Sequence, residues 1–110
     1  MALKREVIEA VIPNAGTDSA TVNVPLNKVL LGFRIPGAFT GTSVSFKMGM
    51  ESTDTPRAIY DGASLVSISV SANRFYYVDS KIFAGCSYLV IVSGSSEGAE
   101  RTIPLVFGEI

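Results

Sequence analysis

Few side chains in this chain can do chemistry, and their types limit it sharply. Cys86 is the only thiol, and there is no histidine. A serine or cysteine nucleophile needs a base beside it to take its proton, so Ser-His-Asp and Cys-His arrangements are excluded. Cys86 opens an apolar run and reads as a small buried hydrophobe. One thiol without imidazole leaves only carboxylates to hold zinc, so no metal and no cofactor is expected. Gly94-Ser95-Ser96-Glu97-Gly98 shares only glycines with a phosphate-binding loop. It lacks the lysine and the following helix, and reads as a flexible polar loop.

The remaining candidates are carboxylates and phenols. Asp18, Asp54, Asp61 and Asp79 all fall in turn-forming stretches, where aspartate is favoured for its local hydrogen bonds. Calcium would have to use the Asp54 or Asp61 loops, whose spacing is not diagnostic of a calcium loop. Tyr60, Tyr76, Tyr77 and Tyr88 offer rings for stacking on sugars. Adjacent strand residues point to opposite faces, so at most one of Tyr76 and Tyr77 is outward. With no tryptophan in the chain, core packing or a protein interface suits these rings better than a sugar platform.

These residues must be positioned by strands. Tyr88-Leu89-Val90-Ile91-Val92 is a short run of apolar, mostly β-branched residues between Gly85 and Ser93-Gly94. It reads as a central strand covered on both faces. Most other segments alternate. Thr42–Met50 places Val44, Phe46, Met48 and Met50 inward, with Ser43, Ser45, Lys47 and Gly49 outward. Lys28–Ile35 places Leu31, Phe33 and Ile35 on one face, and Gly32 marks a bulge or a close backbone approach. Leu65–Ser71 sets Val66, Ile68 and Val70 against a face of serines. Those serine faces read as solvated, or as flat hydrogen-bonding surfaces. In Arg101–Phe107, Ile103, Leu105 and Phe107 point inward, and Pro104 predicts an edge strand or a bulge. Asp61-Gly62 is a hairpin turn signal, and Asp79 caps one helical turn ending at Phe83-Ala84-Gly85.

At the N-terminus, Ile8, Ala10 and Ile12 share one face of a strand, and Val7, Glu9 and Val11 the other. That strand is either an ordinary edge strand or an arm laid on another surface. Residues 1–16 are therefore read as an N-terminal strand or arm and 17–110 as a β-sandwich, one domain overall. Eight or nine short strands, with turn signals every eight to twelve residues, predict an all-β antiparallel sandwich. Immunoglobulin-like and jelly-roll connectivities are both compatible with this pattern. The Cys…Trp…Cys signature of immunoglobulin domains is absent.

Charged residues make up only 17% of the chain and the net charge is −1. No electrostatic footprint for nucleic acid or an anionic membrane is present. A lightly charged surface rich in serine and threonine suits a protein that works within an assembly. One cysteine allows no internal disulfide, which fits a reducing compartment. No secretory leader or membrane-spanning stretch is expected.

Four stretches carry a family resemblance: IPGAFTGTSVSFKMGMES (35–52), IYDG (59–62), RFYYVDSKIFAGCSYLVIVSGS (74–95) and RTIPLVFGEI (101–110). A proline and an aromatic-Thr-Gly step precede a strand that ends in a polar loop. A later Asp…Phe-Ala-Gly turn feeds a Tyr-Leu-Val-Ile-Val-Ser-Gly strand. The layout resembles the small capsid decoration proteins, also called staple or cement proteins, of short-tailed bacteriophages of the epsilon-fifteen type. The resemblance implies a jelly roll that sits as a homodimer on the outer surface of a virion. It implies a non-enzymatic protein, made in the host cytoplasm, that ties neighbouring major capsid protein subunits together against DNA pressure. No catalytic residue carries over. Contact with the capsid is expected from Leu3, Lys4, Arg5, Val7 and Glu9. The alternative is a carbohydrate-binding jelly roll on a tail fibre or capsid surface, with sugar as its partner.

Overall fold

In the computed structural model, which describes residues 5–109, the chain forms two antiparallel sheets packed face to face. Eleven strands occur among these residues: β1 (Arg5–Ile12), β2 (Val22–Asn23), β3 (Val29–Arg34), β4 (Ser43–Gly49), β5 (Arg57–Ala58), β6 (Tyr60–Asp61), β7 (Ser64–Leu65), β8 (Ser67–Ser69), β9 (Phe75–Tyr77), β10 (Tyr88–Ser93) and β11 (Arg101–Gly108). The first sheet has the order β1-β11-β3-β9. The second runs β2-β10-β4, and the far edge of β4 is shared: β8 pairs with Ser43–Ser45 and β5 with Lys47 and Met48. Between β5 and β8 the chain makes a small hairpin, β6-β7, turning at Gly62 with φ +63°. Set those short pieces aside, and eight strands remain in two four-stranded sheets, 1-11-3-9 and 2-10-4-8. Successive strands alternate between the sheets except at the step from β4 to β8, which is jelly-roll connectivity. The strand count exceeds the eight or nine expected because the 57–69 segment breaks into four short pieces.

The core lies between the sheets. Phe33, Leu105, Phe107 and Ile103 from the first sheet meet Val44, Phe46, Leu89 and Ile91 from the second, and none of the eight is accessible to solvent. Phe46 is the hinge of an aromatic column. Its ring centroid lies 5.8 Å from Phe33 and 5.0 Å from Phe83, edge-on to both, and Tyr76 stacks on the far side of Phe33 at 5.7 Å. Phe83 ends a 3₁₀ turn, Ser80–Phe83, whose first turn is capped by the Asp79 carboxylate accepting from the Lys81 amide. The apolar run at β10 sits between β2 and β4, with Val90 buried on the face opposite Leu89 and Ile91.

Two expectations need correction. In β3 it is Leu30, not Leu31, that is buried beside Phe33. The ladder to β11 steps from Phe107–Leu30 to Val106–Gly32, so Leu31 is an extra residue and the strand bulges there. Gly32 also makes the close approach foreseen for it, since a Cβ would stand 2.6 Å from the Tyr76 carbonyl oxygen. Gly32→Ala is therefore expected to cost roughly 1–3 kcal/mol, as overpacking against a backbone atom does. Urea unfolding should show a lower midpoint with an unchanged slope.

Met50 was expected inward but is 73% exposed. Strand β4 ends at Gly49, and the Asp54 carboxylate accepts from the amides of Met50 and Glu51, which turns the chain before Met50 can follow the alternation. Pro104 was expected to mark an edge strand or a bulge: β11 is interior, and its ladder with β3 carries the bulge, between Val106 and Phe107. The Val11 carbonyl accepts the Ala20 amide from outside the sheet. Alternate residues of an antiparallel strand turn their polar groups the same way. Glu9, opposite Pro104, thus faces outward, and Pro104 nitrogen faces β3. That ladder ends one residue earlier, at Leu105–Phe33, so the missing donor breaks no rung.

Candidate functional site

The alternation that sends Ile8, Ala10 and Ile12 into the core sends Arg5, Val7 and Glu9 to the outer face of the first sheet. Register carries that face across four strands. Val7 lies opposite Val106, Val106 opposite Gly32, and Gly32 opposite Tyr77. One step along, Glu9 lies opposite Pro104, and Arg34 opposite Phe75. Because Gly32 has no side chain, the Phe75 ring leans over it; a Cβ there would come within 2.7 Å of that ring. Phe75 and Tyr77 meet edge to face at 5.5 Å.

Together Val7, Glu9, Arg34, Phe75, Pro104 and Val106 line a shallow groove of about 340 Å³. Val7 is 60% exposed, Phe75 48% and Tyr77 85%. Single exposed apolar residues are ordinary on a small protein, but here three lie on one sheet face with Pro104 and Val106 between them. Covering such a surface is worth about 25 cal/mol per Å² of apolar area. Glu9 and Arg34 lie beside the groove with opposite charges, which suits orienting a partner more than attracting one. The arrangement offers a flat, aromatic docking surface.

Of the residues expected to touch a partner, Arg5, Val7 and Glu9 are brought together on this face, along the edge of the sheet. Leu3 and Lys4 lie outside the described residues. Segment 5–12 is an edge strand, paired with β11 through all eight residues. Phe75, Tyr77, Arg34, Pro104 and Val106 were missed as partners of β1. Their alternation was visible, but not the strand order that lines them up. Tyr76 turns inward, its hydroxyl oxygen accepting from the Ser71 amide at 2.7 Å, and Tyr77 outward, as adjacent strand residues must.

A second feature escaped sequence reasoning entirely. Glu97, in the loop read as flexible, is 1% exposed. Its carboxylate accepts from the Thr40 amide at 2.9 Å, the Thr40 hydroxyl at 3.0 Å, the Gly41 amide at 3.0 Å, the Ser93 hydroxyl at 3.3 Å and Arg101 Nε at 2.9 Å. Its backbone also pairs with the 15–16 turn, taking the Ala15 amide and giving its own to Gly16. Burial alone would raise the Glu97 carboxyl, but these donors outweigh it and hold the group below the usual glutamate range. One carboxylate thereby clips three segments at one end of the sandwich. The available signal was the Glu97/Arg101 spacing and the donor-rich Thr40-Gly41 step.

A third feature is a cleft of about 360 Å³ between the β6-β7 hairpin and the 3₁₀ turn, lined in part by Leu65, Ile68, Tyr77, Ile82, Asp61 and Asp79. Asp54 and Asp79 hold amides of their own turns, and Asp18 pairs with Lys47 Nζ at 2.6 Å. No three acidic or sulfur side chains converge into a metal site among the described residues. Burial pushes the Cys86 thiol up to about 11, so it stays protonated at neutral pH. No family model matches the chain, and no curated protein is significantly similar to it.

Proposed function

We propose that this chain is a structural virion protein that binds the outside of a phage capsid and ties neighbouring major capsid subunits together. The observation that carries this reading is the exposed aromatic face spanning β1, β11, β3 and β9, bracketed by Glu9 and Arg34. A rigid sheet face laid across a joint between two capsid subunits buries apolar area only when the joint is closed. A protein that binds only the assembled state stabilises it by mass action. The similarity of the Pro36…Phe39-Thr40-Gly41 and Tyr88–Gly94 stretches to capsid decoration proteins supports the same reading.

Two measurements test it. The chain counted against the major capsid protein in purified particles should be present in comparable copy number. A F75A/Y77S double variant should stay folded, with its unfolding midpoint lowered only by the loss of the Phe75–Tyr77 contact, yet bind capsids lacking the protein at least roughly thirtyfold more weakly, as loss of about 2 kcal/mol from an aromatic hot spot implies. Normal binding by that variant would remove this face from the interaction.

The cleft beneath the β6-β7 hairpin favours a second reading, a carbohydrate-binding module. There an exposed tyrosine, Tyr77, stands near two carboxylates, Asp61 and Asp79. A few copies per particle, with a thermal stabilisation by host-cell oligosaccharide that Y77S abolishes, would favour it over the capsid reading.

A further inference from the structure

The free edge of the first sheet is self-complementary, and we propose that two copies of the chain pair there, β1 against β1 in antiparallel register centred on Val7. Strand β1 ends the sheet order, so among the described residues one of its sides has no strand partner. The Ala20 amide reaches that side at Val11, where it occupies the carbonyl. Since alternate residues turn their polar groups the same way, Arg5, Val7 and Glu9 present theirs to the open side. An open edge of this kind is a template for another strand.

Charge selects both the occupant and the register. With Val7 on a two-fold axis, Arg5 of each copy faces Glu9 of the other, so two opposite-charge pairs form around an apolar centre. An axis at Glu6 or Glu9 sets like carboxylates against each other. An axis at Ile8 places Arg5 opposite Val11, whose carbonyl is already taken. Only the Val7 register pairs every charge on the outer face favourably. The contact is isologous, as a closed dimer requires.

The pairing also extends the candidate face. Side chains of Arg5, Val7 and Glu9 lie on the same side as Val106, Phe75 and Tyr77, so the exposed apolar rows of two copies would run continuously over eight strands. At about 4.8 Å between strands, that face spans roughly 34 Å. It could reach across two neighbouring subunits of a shell. The pairing does not rest on the capsid reading and is tested in solution, without particles.

The test is a charge exchange read by sedimentation equilibrium of the full chain. The parent should be dimeric at roughly 100 µM. R5E should weaken the dimer at least about tenfold, because two attractive pairs become repulsive, and E9R should do the same. The R5E/E9R double variant restores opposite charges and should recover the parent dimer. These positions are exposed at an edge, so unfolding midpoints measured at concentrations where the parent is monomeric should stay unchanged. Cross-linking checks the register. V7C should form a disulfide-linked dimer with copper phenanthroline as oxidant, since facing residues of a hydrogen-bonded pair lie about 5.5 Å apart. E9C, displaced from the axis, should not. A monomeric parent, a dimer indifferent to R5E, or a double variant that fails to recover would each overturn the proposal.

Discussion

Replacing Glu97 with alanine is expected to lower the unfolding free energy by roughly 3–5 kcal/mol, the usual cost of removing one partner from a buried, hydrogen-bonded charge pair. The loss has three sources. The Thr40 and Gly41 amides are left without their acceptor, each carrying a desolvation penalty. The Arg101 guanidinium, only 14% exposed, loses its counter-charge. The 36–41 segment and the 94–98 loop lose the side chain that joins them. In a domain of this size the change should lower the melting temperature by roughly 12–20 °C. The native state has about 5–15 kcal/mol to lose in total.

The pH dependence has a definite sign. The Glu97 carboxyl is held below its ordinary range in the folded chain, so between its folded and unfolded values the unfolded state binds more protons. Its contribution is complete above the ordinary glutamate range, near pH 4.3, and is lost as pH falls through the lower folded value. Asp18, lowered by its hydrogen bond from Lys47, shifts in the same direction, but solvent screens this half-exposed pair and its contribution is small. Glu97→Gln should be destabilised at pH 7 and lose much of its acid sensitivity. Urea midpoints of parent and variant should converge as pH falls toward 3. Parallel curves would show that Glu97 is not ionised in the folded state.

Phe46→Ala should be comparably severe, about 3–5 kcal/mol, for a different reason. Phe46 is inaccessible and stands between Phe33 of the facing sheet and Phe83 of the 3₁₀ turn. Its removal opens a cavity whose walls are strands held by their own ladders, so they relax only partly. It also ends two edge-on ring contacts worth about 0.5–1.5 kcal/mol each beyond area burial. Phe46→Leu keeps most of the volume and should cost much less. Urea unfolding separates the two, and the alanine variant should show no pH dependence beyond that of the parent.

Much of the fold was legible because it follows from local period. Alternation in Ser43–Gly49 and Arg101–Gly108 identifies two strands and their inner faces. The two-sided apolarity of Tyr88–Ser93 identifies the central strand of the second sheet. The Asp61-Gly62 and Asp79 signals place a hairpin and a capped 3₁₀ turn where they occur. Half of the candidate face was legible in the same way, since Val7 and Glu9 share the side of β1 opposite Ile8, Ala10 and Ile12. The other half was not. Phe75 and Tyr77 join that face only because β9 lies beside β3, and β3 beside β11.

The division follows the range of the interactions. Alternation and composition were enough to assign the main strands, to orient most of their side chains, and to close imidazole chemistry to this chain. Those properties depend on residue type and on neighbours one or two positions away. Long-range contacts were needed to show that Leu30 rather than Leu31 is buried, that Pro104 can sit in an interior strand, and that Glu97 is a buried clip. Each of these depends on a partner far along the chain: Phe107 for Leu30, the end of the β3 ladder for Pro104, and Thr40, 57 residues away, for Glu97. A polar loop residue and a buried ionic hub look alike until the fold brings the donors to it.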